Sequence, residues 1–250
     1  MADYKGALRV IWRCLFVLLA IIGTTHPALA QDFTLNLGDG TSVSARSIQL
    51  ILLLTVLSLA PGLAIMVTCF PFVVTVLSIL RQAIGLQQAP PNMLIVSLAL
   101  FLTWYVMDPV FTEAWTNGLG PLSREELELG PAITQTLAPF RAFMAARLDP
   151  ATFAHLAELR PDAMPASLPE APLSVLVPAF MLSEIKLAFE IGFLVFLPFL
   201  IIDLVVAAVL MSMGMMMVPP AIVSLPFKLA FFVVADGWSL IAAALVRSYL

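Results

Sequence analysis

Six ionisable side chains lie in otherwise apolar sequence near the carboxyl end of the chain. Their charges make them the residues best suited to forming buried ion pairs. They are Glu184, Lys186, Glu190, Asp203, Lys228 and Asp236. A charge at membrane depth costs about 2.5 to 3.5 kcal/mol on insertion scales, so such groups pair with one another or face a polar interior. Glu184 and Glu190 do not share a helix face, which argues against acid–base catalysis by paired carboxylates. The pattern predicts a buried charge network.

A methionine-rich segment separates the first four of these charges from the last two. Residues 211–217 read MSMGMMM, and Pro219 and Pro220 follow after one valine. Thioether side chains are flexible and specify a packed core poorly, and they are also soft ligands that suit Cu(I). Gly214 loosens the helix and the two prolines break it, so we expect two helical arms joined by a flexible apolar turn.

The predicted hairpin determines which charges lie at the same level. If the chain turns at residues 215 and 216, Asp203 and Lys228 are nearly equidistant from the tip, and Lys228 is expected to lie beside Asp203. Glu184 is the other candidate partner. Two interpretations stay open. The charges pair within one hairpin, or they are neutralised between the subunits of a ring.

The elements that carry these residues are apolar helices. Hydrophobic residues make up 61% of the 250 residues and charged residues 11%, whereas soluble proteins contain about 45–50% and 25%. This composition predicts an all-α membrane-associated protein in which broken hydrophobic helices form hairpins. The net charge of −4 argues against a nucleic-acid partner.

The first 30 residues are typical of a cleavable secretory signal. Three basic residues precede a short apolar stretch, and residues 28–30 read Ala-Leu-Ala, the small-residue pattern of a signal-peptidase site. Cleavage after Ala30 would place the polar mature amino terminus, residues 31–47, outside the cytoplasm. An uncleaved amino-terminal membrane helix is the alternative. Cleavage would also remove Cys14 and leave Cys69 alone, so no disulfide within the chain is expected.

Two hydrophobic halves follow, at residues 48–107 and 173–250. In the first half, a charge-free run over 47–80 is interrupted by prolines, which predicts one broken helix or two short ones, and residues 93–107 add a shorter apolar segment. The second half is expected to be split into short helical pieces by its prolines, and hydropathy predicts about four spans in all. The prolines concerned are Pro178, Pro198, Pro219, Pro220 and Pro226.

Residues 108–172 form a charged, proline-rich insert between the two halves. From Asp108 to Glu170 there are nine acids and four arginines, a local net charge of −5. Long acidic loops are easily translocated, so the insert is expected outside the cytoplasm, and the turn over residues 81–92 is expected inside. Ser123 and Glu126 have the spacing of a helix capping box. Three dipeptides, at 120–121, 130–131 and 149–150, are expected to divide the insert into loop-rich pieces.

The residue types exclude some classes of function and leave others open. The hydrophobic segments contain no histidine, cysteine pair, phosphate-binding glycine loop or activated nucleophile, so an enzyme fits poorly and no cofactor is expected. A Cu(I) transporter would use the methionines, but no cysteine or histidine supplies a second site. A secondary transporter would use broken helices and buried charges, but its two halves would be alike, and these differ in charge pattern.

Four sequence motifs follow one another in the second hydrophobic half. They are VPAFMLSEIKLAFEIGF at 177–193, FLIIDLV at 199–205, GMMMVPP at 214–220 and PFKLAFFVVADGW at 226–238. The first half adds PFVVTVLSILR at 71–81 and QAPPN at 88–92. Together these motifs resemble the FliP family, the P subunit of the flagellar type III export gate. Residues 111–170 match no pattern of the family.

The resemblance implies a role for several residues. Met215, Met216 and Met217 correspond to a gasket that closes the pore. The buried-charge positions correspond to Glu184, Asp203 and Lys228, with Asp236 in the final Asp-Gly-Trp.

The resemblance also implies an assembly. About five copies of this subunit are expected to assemble helically with the smaller Q and R subunits into a pore in the bacterial inner membrane, within the flagellar basal body. They are also expected to contact other membrane proteins of the export apparatus. Unfolded export substrates would pass through it. The predicted signal and the Val-Pro-Pro-Ala sequence at 218–221 favour a flagellar over a virulence secretion system.

Overall fold

The computed structural model describes residues 43–86, 89–160, 168–215 and 217–249, with side chains from Ser47 onward. All regular structure in these ranges is helical, so the predicted all-α membrane fold is confirmed. The predicted signal at 1–30 and residues 31–42 lie outside the described residues and stay predictions. The chain divides into two units between Leu53 and Leu54, and the described part of the first is the beginning of helix α1.

The charge-free run at 47–80 forms two helices. Helix α1 (Val43–Met66) continues through Pro61, and none of its residues from Ser47 onward is buried. Helix α2 (Phe70–Ile84) begins next to Pro71, where a proline is tolerated because the first N–H groups of a helix have no intrahelical partner. Gly85 ends α2 with φ +88°, a left-handed conformation that favours glycine.

Helix α2 lies at the centre of the larger hydrophobic core. Its buried residues recur at the spacing of one helix face, and they pack against helices α3, α7 and α8. They are Phe72, Val73, Val76, Leu77, Leu80, Ala83 and Ile84. The closest partner is α7, where Gly192 lies against Ile79; a Cβ added at Gly192 would lie 3.2 Å from Ile79 Cγ2. A small residue therefore allows the two helices to approach closely.

The apolar segment at 93–107 is longer than predicted. Helix α3 (Asn92–Ala114) passes through Pro109 and continues into a π-helical turn (Trp115–Leu119) and the short helix α4 (Gly120–Ser123), making a 32-residue apolar stretch. A π turn widens the helix locally and accommodates an irregularity without ending it. Gly118 in this turn lies against the next helix, because an added Cβ would be 2.7 Å from the backbone nitrogen of Thr136.

The insert at 108–172 is mainly helical, so the prediction of loop-rich pieces was wrong. Helix α5 (Leu129–Arg147) contains the 130–131 dipeptide in its first turn, and helix α6 (Pro150–Glu158) begins at the predicted boundary, capped by Asp149. The predicted capping box is also wrong. Ser123 ends α4 and donates to the carbonyl of Gly120, while Glu126 pairs with Arg124 at 3.0 Å.

The second hydrophobic half contains fewer breaks than its prolines predict. Helix α7 (Leu173–Ser212) runs for 40 residues through Pro178 and Pro198, and helix α8 (Pro220–Val234) runs through Pro226. Only Pro219 and Pro220 coincide with a break. Prolines within apolar helices are tolerated where neighbouring groups satisfy the carbonyls that they free.

Helix α9 (Gly237–Arg247) follows α8 at an angle of 61°. The bend lies at Asp236, which has φ +48°. Three of the described helical stretches are long and apolar enough to cross a membrane, and α8 with α9 would make a fourth as one bent span.

Candidate functional site: buried charges and the methionine loop

The hairpin of α7 and α8 holds an ion pair between a buried lysine and a partly buried aspartate. Lys228 Nζ on α8 lies 2.6 Å from Asp203 Oδ2 on α7. This is the pairing expected from a hairpin that turns at residues 215 and 216. Ser224 Oγ donates to the other carboxylate oxygen at 2.5 Å, and Lys228 also donates to the carbonyl of Ala83 at 3.2 Å. Lys228 is 6% exposed. The group therefore ties α7, α8 and the end of α2 together at one point.

Glu184 belongs to a second cluster and does not neutralise Lys228. Its carboxylate is 1% exposed, accepts from Arg147 Nε at 3.1 Å and accepts a hydrogen bond from the Tyr249 hydroxyl. Arg147 Nη1 also donates to the carbonyl of Ser248 at 2.8 Å, and its guanidinium lies 4.1 Å from the centre of the Tyr249 ring. Burial and the charge of Glu184 both raise the pKa of Tyr249, which keeps its hydroxyl protonated as a donor.

This clasp, Arg147–Glu184–Tyr249, joins three parts of the chain that are far apart in sequence. Arg147 ends α5, Glu184 lies on α7 and Tyr249 follows α9, and the Tyr249 ring also packs edge-on against Phe72 of α2. The sequence reasoning missed Arg147 and Tyr249. The signal available was weak: Glu184 is an acid in apolar sequence and needs a cation, but nothing local indicates that an arginine 37 residues earlier supplies it.

The remaining predicted charges are not brought into either cluster. Lys186 pairs with Asp149 at 3.2 Å, where the Thr152 hydroxyl and then the Lys186 ammonium hold the pKa of the Asp149 carboxyl below its ordinary value. Glu190 and Asp236 are exposed, and neither has an ion pair within the described residues. The predicted single network is therefore two buried clusters, one surface pair and two separate acids.

We expect Tyr249→Phe to lower stability because it removes one donor and leaves the ring in place. Glu184 would keep Arg147 but lose a partner at a buried oxygen, which costs about 1 to 3 kcal/mol. Thermal unfolding of the detergent-extracted protein measures this loss. Tyr105→Phe is the matched control, since Tyr105 is 67% exposed on α3 and its hydroxyl contacts none of these groups. Equal midpoints for the two variants would contradict a structural role for the clasp.

The methionine-rich segment forms the tip of the hairpin. Helix α7 ends in a Schellman-type turn, in which Met215 N donates to Leu210 O at 3.0 Å and Gly214 N donates to Met211 O at 3.0 Å. Gly214 has φ +74°, the left-handed value that this turn requires. Pro220 occupies the first turn of α8. Met216 lies outside the described residues, so its predicted position stays a prediction.

The methionines of the tip differ from those of the core. Met107 and Met144 are buried at 0% and 1% exposure, whereas Met217 is 96% exposed. Met213 and Met215 border an apolar cleft of about 600 Å³ between α7 and α8, which is otherwise lined by aliphatic side chains and Phe227. The tip therefore has unfilled apolar space beside it and presents thioethers outward. Within the described ranges, no three histidines, cysteines or acids are grouped to hold a metal ion.

Comparison with known proteins identifies a family. A profile described as the FliP family matches residues 53–245. A relative from Caulobacter vibrioides named flagellar biosynthetic protein FliP is 51% identical over 236 residues, covering 93% of this chain and 89% of that protein. Proteins of the same name from Agrobacterium fabrum and Bacillus subtilis are each 47% identical, covering 93% and 84% of this chain and 96% and 95% of their own.

Proposed function

The chain belongs to the FliP family, and from this premise we propose that it is a pore-forming core subunit of the flagellar type III protein export gate. In this role it lets unfolded flagellar subunits cross the inner membrane. The name shared by its relatives supports a flagellar over a virulence system. The protein acts as a conduit and uses no cofactor.

The observation that carries the proposal is the exposed methionine loop at the tip of a hairpin. A conduit for unfolded chains needs a closure that is apolar, deformable and indifferent to the passing sequence. Thioether side chains meet this need because they rotate freely and make soft contacts. An apolar constriction also blocks ions when it is free of water. Met215, Met216 and Met217 from several copies would form this closure, with Gly214, Pro219 and Pro220 defining the turn.

The buried charges support an assembly in which the hairpin is held rigidly behind a soft tip. The pair of Lys228 with Asp203 fixes the two arms of the hairpin relative to each other. The clasp at Glu184 fixes the chain end against α7. About five copies would assemble with the Q and R subunits in the inner membrane, with residues 108–172 on the extracytoplasmic side.

Photocrosslinking during export tests the proposal. A photoreactive amino acid placed at Met217, which is 96% exposed, should form adducts with an export substrate that is stalled by a folded carboxyl-terminal domain. The same group at Leu159, a 79% exposed residue at the end of α6, is the control and should form no such adduct. Equal labelling at both positions, or none at Met217 while export proceeds, would contradict passage of the substrate past this loop.

A further inference from the structure

One exposed face of α7 is an unusual surface for contact with lipid. Large apolar residues follow one another along it, and Glu190 lies among them. The neighbouring residues Phe189, Phe193 and Leu194 are 61%, 62% and 63% exposed. A carboxylate in the middle of such a stripe is costly in hydrocarbon, so this face calls for a protein partner that supplies a cation.

Helix α9 carries a face of complementary character. Its exposed residues recur at helical spacing and are small in the middle, with Ala243 and Ala244 between Leu240 and Arg247. Small side chains leave room for bulky ones, which suits the phenylalanines beside Glu190. Arg247 is exposed and makes no ion pair within the part of the chain that the structure describes. The two faces are thus complementary in charge and in size.

The clasp places these two charges at similar levels. Tyr249 donates to Glu184, so the end of the chain lies beside that residue of α7. Glu190 is six residues further along α7, about 9 Å at 1.5 Å per residue. Because α8 and α9 return from the hairpin tip, residues before Tyr249 lie on the Glu190 side, and Arg247 extends its long side chain from there.

We propose that Glu190 of one copy pairs with Arg247 of the next copy of this chain, with the α7 face packed on the α9 face. Different patches on the two copies make a head-to-tail contact, which repeats from each copy to the next. The proposal rests on the assembly of several copies put forward above, and it names the surface that joins them.

A charge exchange tests the pair. Glu190→Arg and Arg247→Glu should each reduce the oligomer recovered on native gels about tenfold, because each places like charges together. The double exchange should restore most of it. Glu158→Arg, at an exposed acid on α6, is the matched control: alone it should leave the oligomer unchanged, and it should not rescue Arg247→Glu. The amount of each variant in the membrane is measured in parallel.

Several outcomes would overturn the pair. One is that both single variants form normal amounts of oligomer. Another is that the double exchange recovers no oligomer although all variants reach the membrane. Rescue of Glu190→Arg by Lys186→Glu in place of Arg247→Glu would also overturn it and identify a partner one turn away on α7. If the arginine variant fails to insert, Glu190→Gln should still weaken the oligomer and Arg247→Gln should weaken it equally.

Crosslinking gives a second measurement that does not depend on charge. Two differently tagged chains are co-expressed, one with Glu190→Cys and the other with Arg247→Cys. In both chains Cys14 and Cys69 are replaced by alanine, and the cells are treated with a short bismaleimide. A mixed dimer is expected, and its absence from assembled complexes would overturn the contact. A mixed dimer without substrate adducts at Met217 would leave the contact standing and reject the export role.

Discussion

Lys228→Ala should abolish assembly of the protein and flagellar motility. The substitution leaves the Asp203 carboxylate without its cation in apolar surroundings, and removing one partner of a buried pair costs about 3 to 5 kcal/mol. The side chain of Asp203 keeps 32% exposure, so the lower end of that range is expected. Even this is a large part of the roughly 5 to 15 kcal/mol that stabilises a protein domain. Membrane content, oligomer on native gels and swarming measure the effect.

Two further variants separate the pair from general effects of charge. Lys186→Ala removes a lysine whose side chain is 55% exposed and whose surface pair with Asp149 is screened by water, so assembly should survive. Replacing both members, as Lys228→Met with Asp203→Leu, removes the unpaired charge and should restore much of the stability. Normal motility in Lys228→Ala would sink the idea that this ion pair is essential.

Shortening Met215, Met216 and Met217 to alanine together should leave the complex assembled and make the membrane leak. Met217 is 96% exposed and Met215 is 41% exposed, so their side chains add little to the packing of the subunit itself. Removal of three thioethers from a closed constriction leaves a water-filled gap. Conductance for ions or small solutes, in cells or planar bilayers, measures the leak beside the unaltered protein.

A core methionine supplies the contrast. Met107 is fully buried, so Met107→Ala should cost about 2 to 5 kcal/mol, reduce the amount of complex and open no leak. If the triple variant behaves like Met107→Ala, the loop methionines are packing residues. An assembled triple variant as tight as the unaltered protein would remove the gasket interpretation.

The sequence predicted features that depend on local physics. An apolar composition required helices, Gly214 with Pro219 and Pro220 located the break between α7 and α8, and distance from that turn placed Lys228 beside Asp203. These features follow from backbone geometry and from the cost of an unpaired charge. Both act within a few turns of helix or across one hairpin.

The features that the sequence did not predict depend on tertiary context. Pro178, Pro198 and Pro226 are internal to helices because neighbouring elements compensate for a lost hydrogen bond, which no local rule reveals. The helices of the insert were hidden by its glycines and prolines. Arg147 and Tyr249 converge on Glu184 only after α5, α7 and α9 have packed together.

Helix α7 has 40 residues, and its length determines how much of its apolar surface lipid can cover. Exposed apolar residues extend along it from Leu182 to Met211, 29 positions apart, which is about 44 Å at 1.5 Å per residue. The hydrocarbon core is about 30 Å thick, and a helix tilted by about 40° crosses it within about 39 Å. Part of this apolar surface therefore extends beyond the lipid. In the assembly proposed above, neighbouring chains would cover this remainder, so a subunit alone in a bilayer would leave part of α7 uncovered.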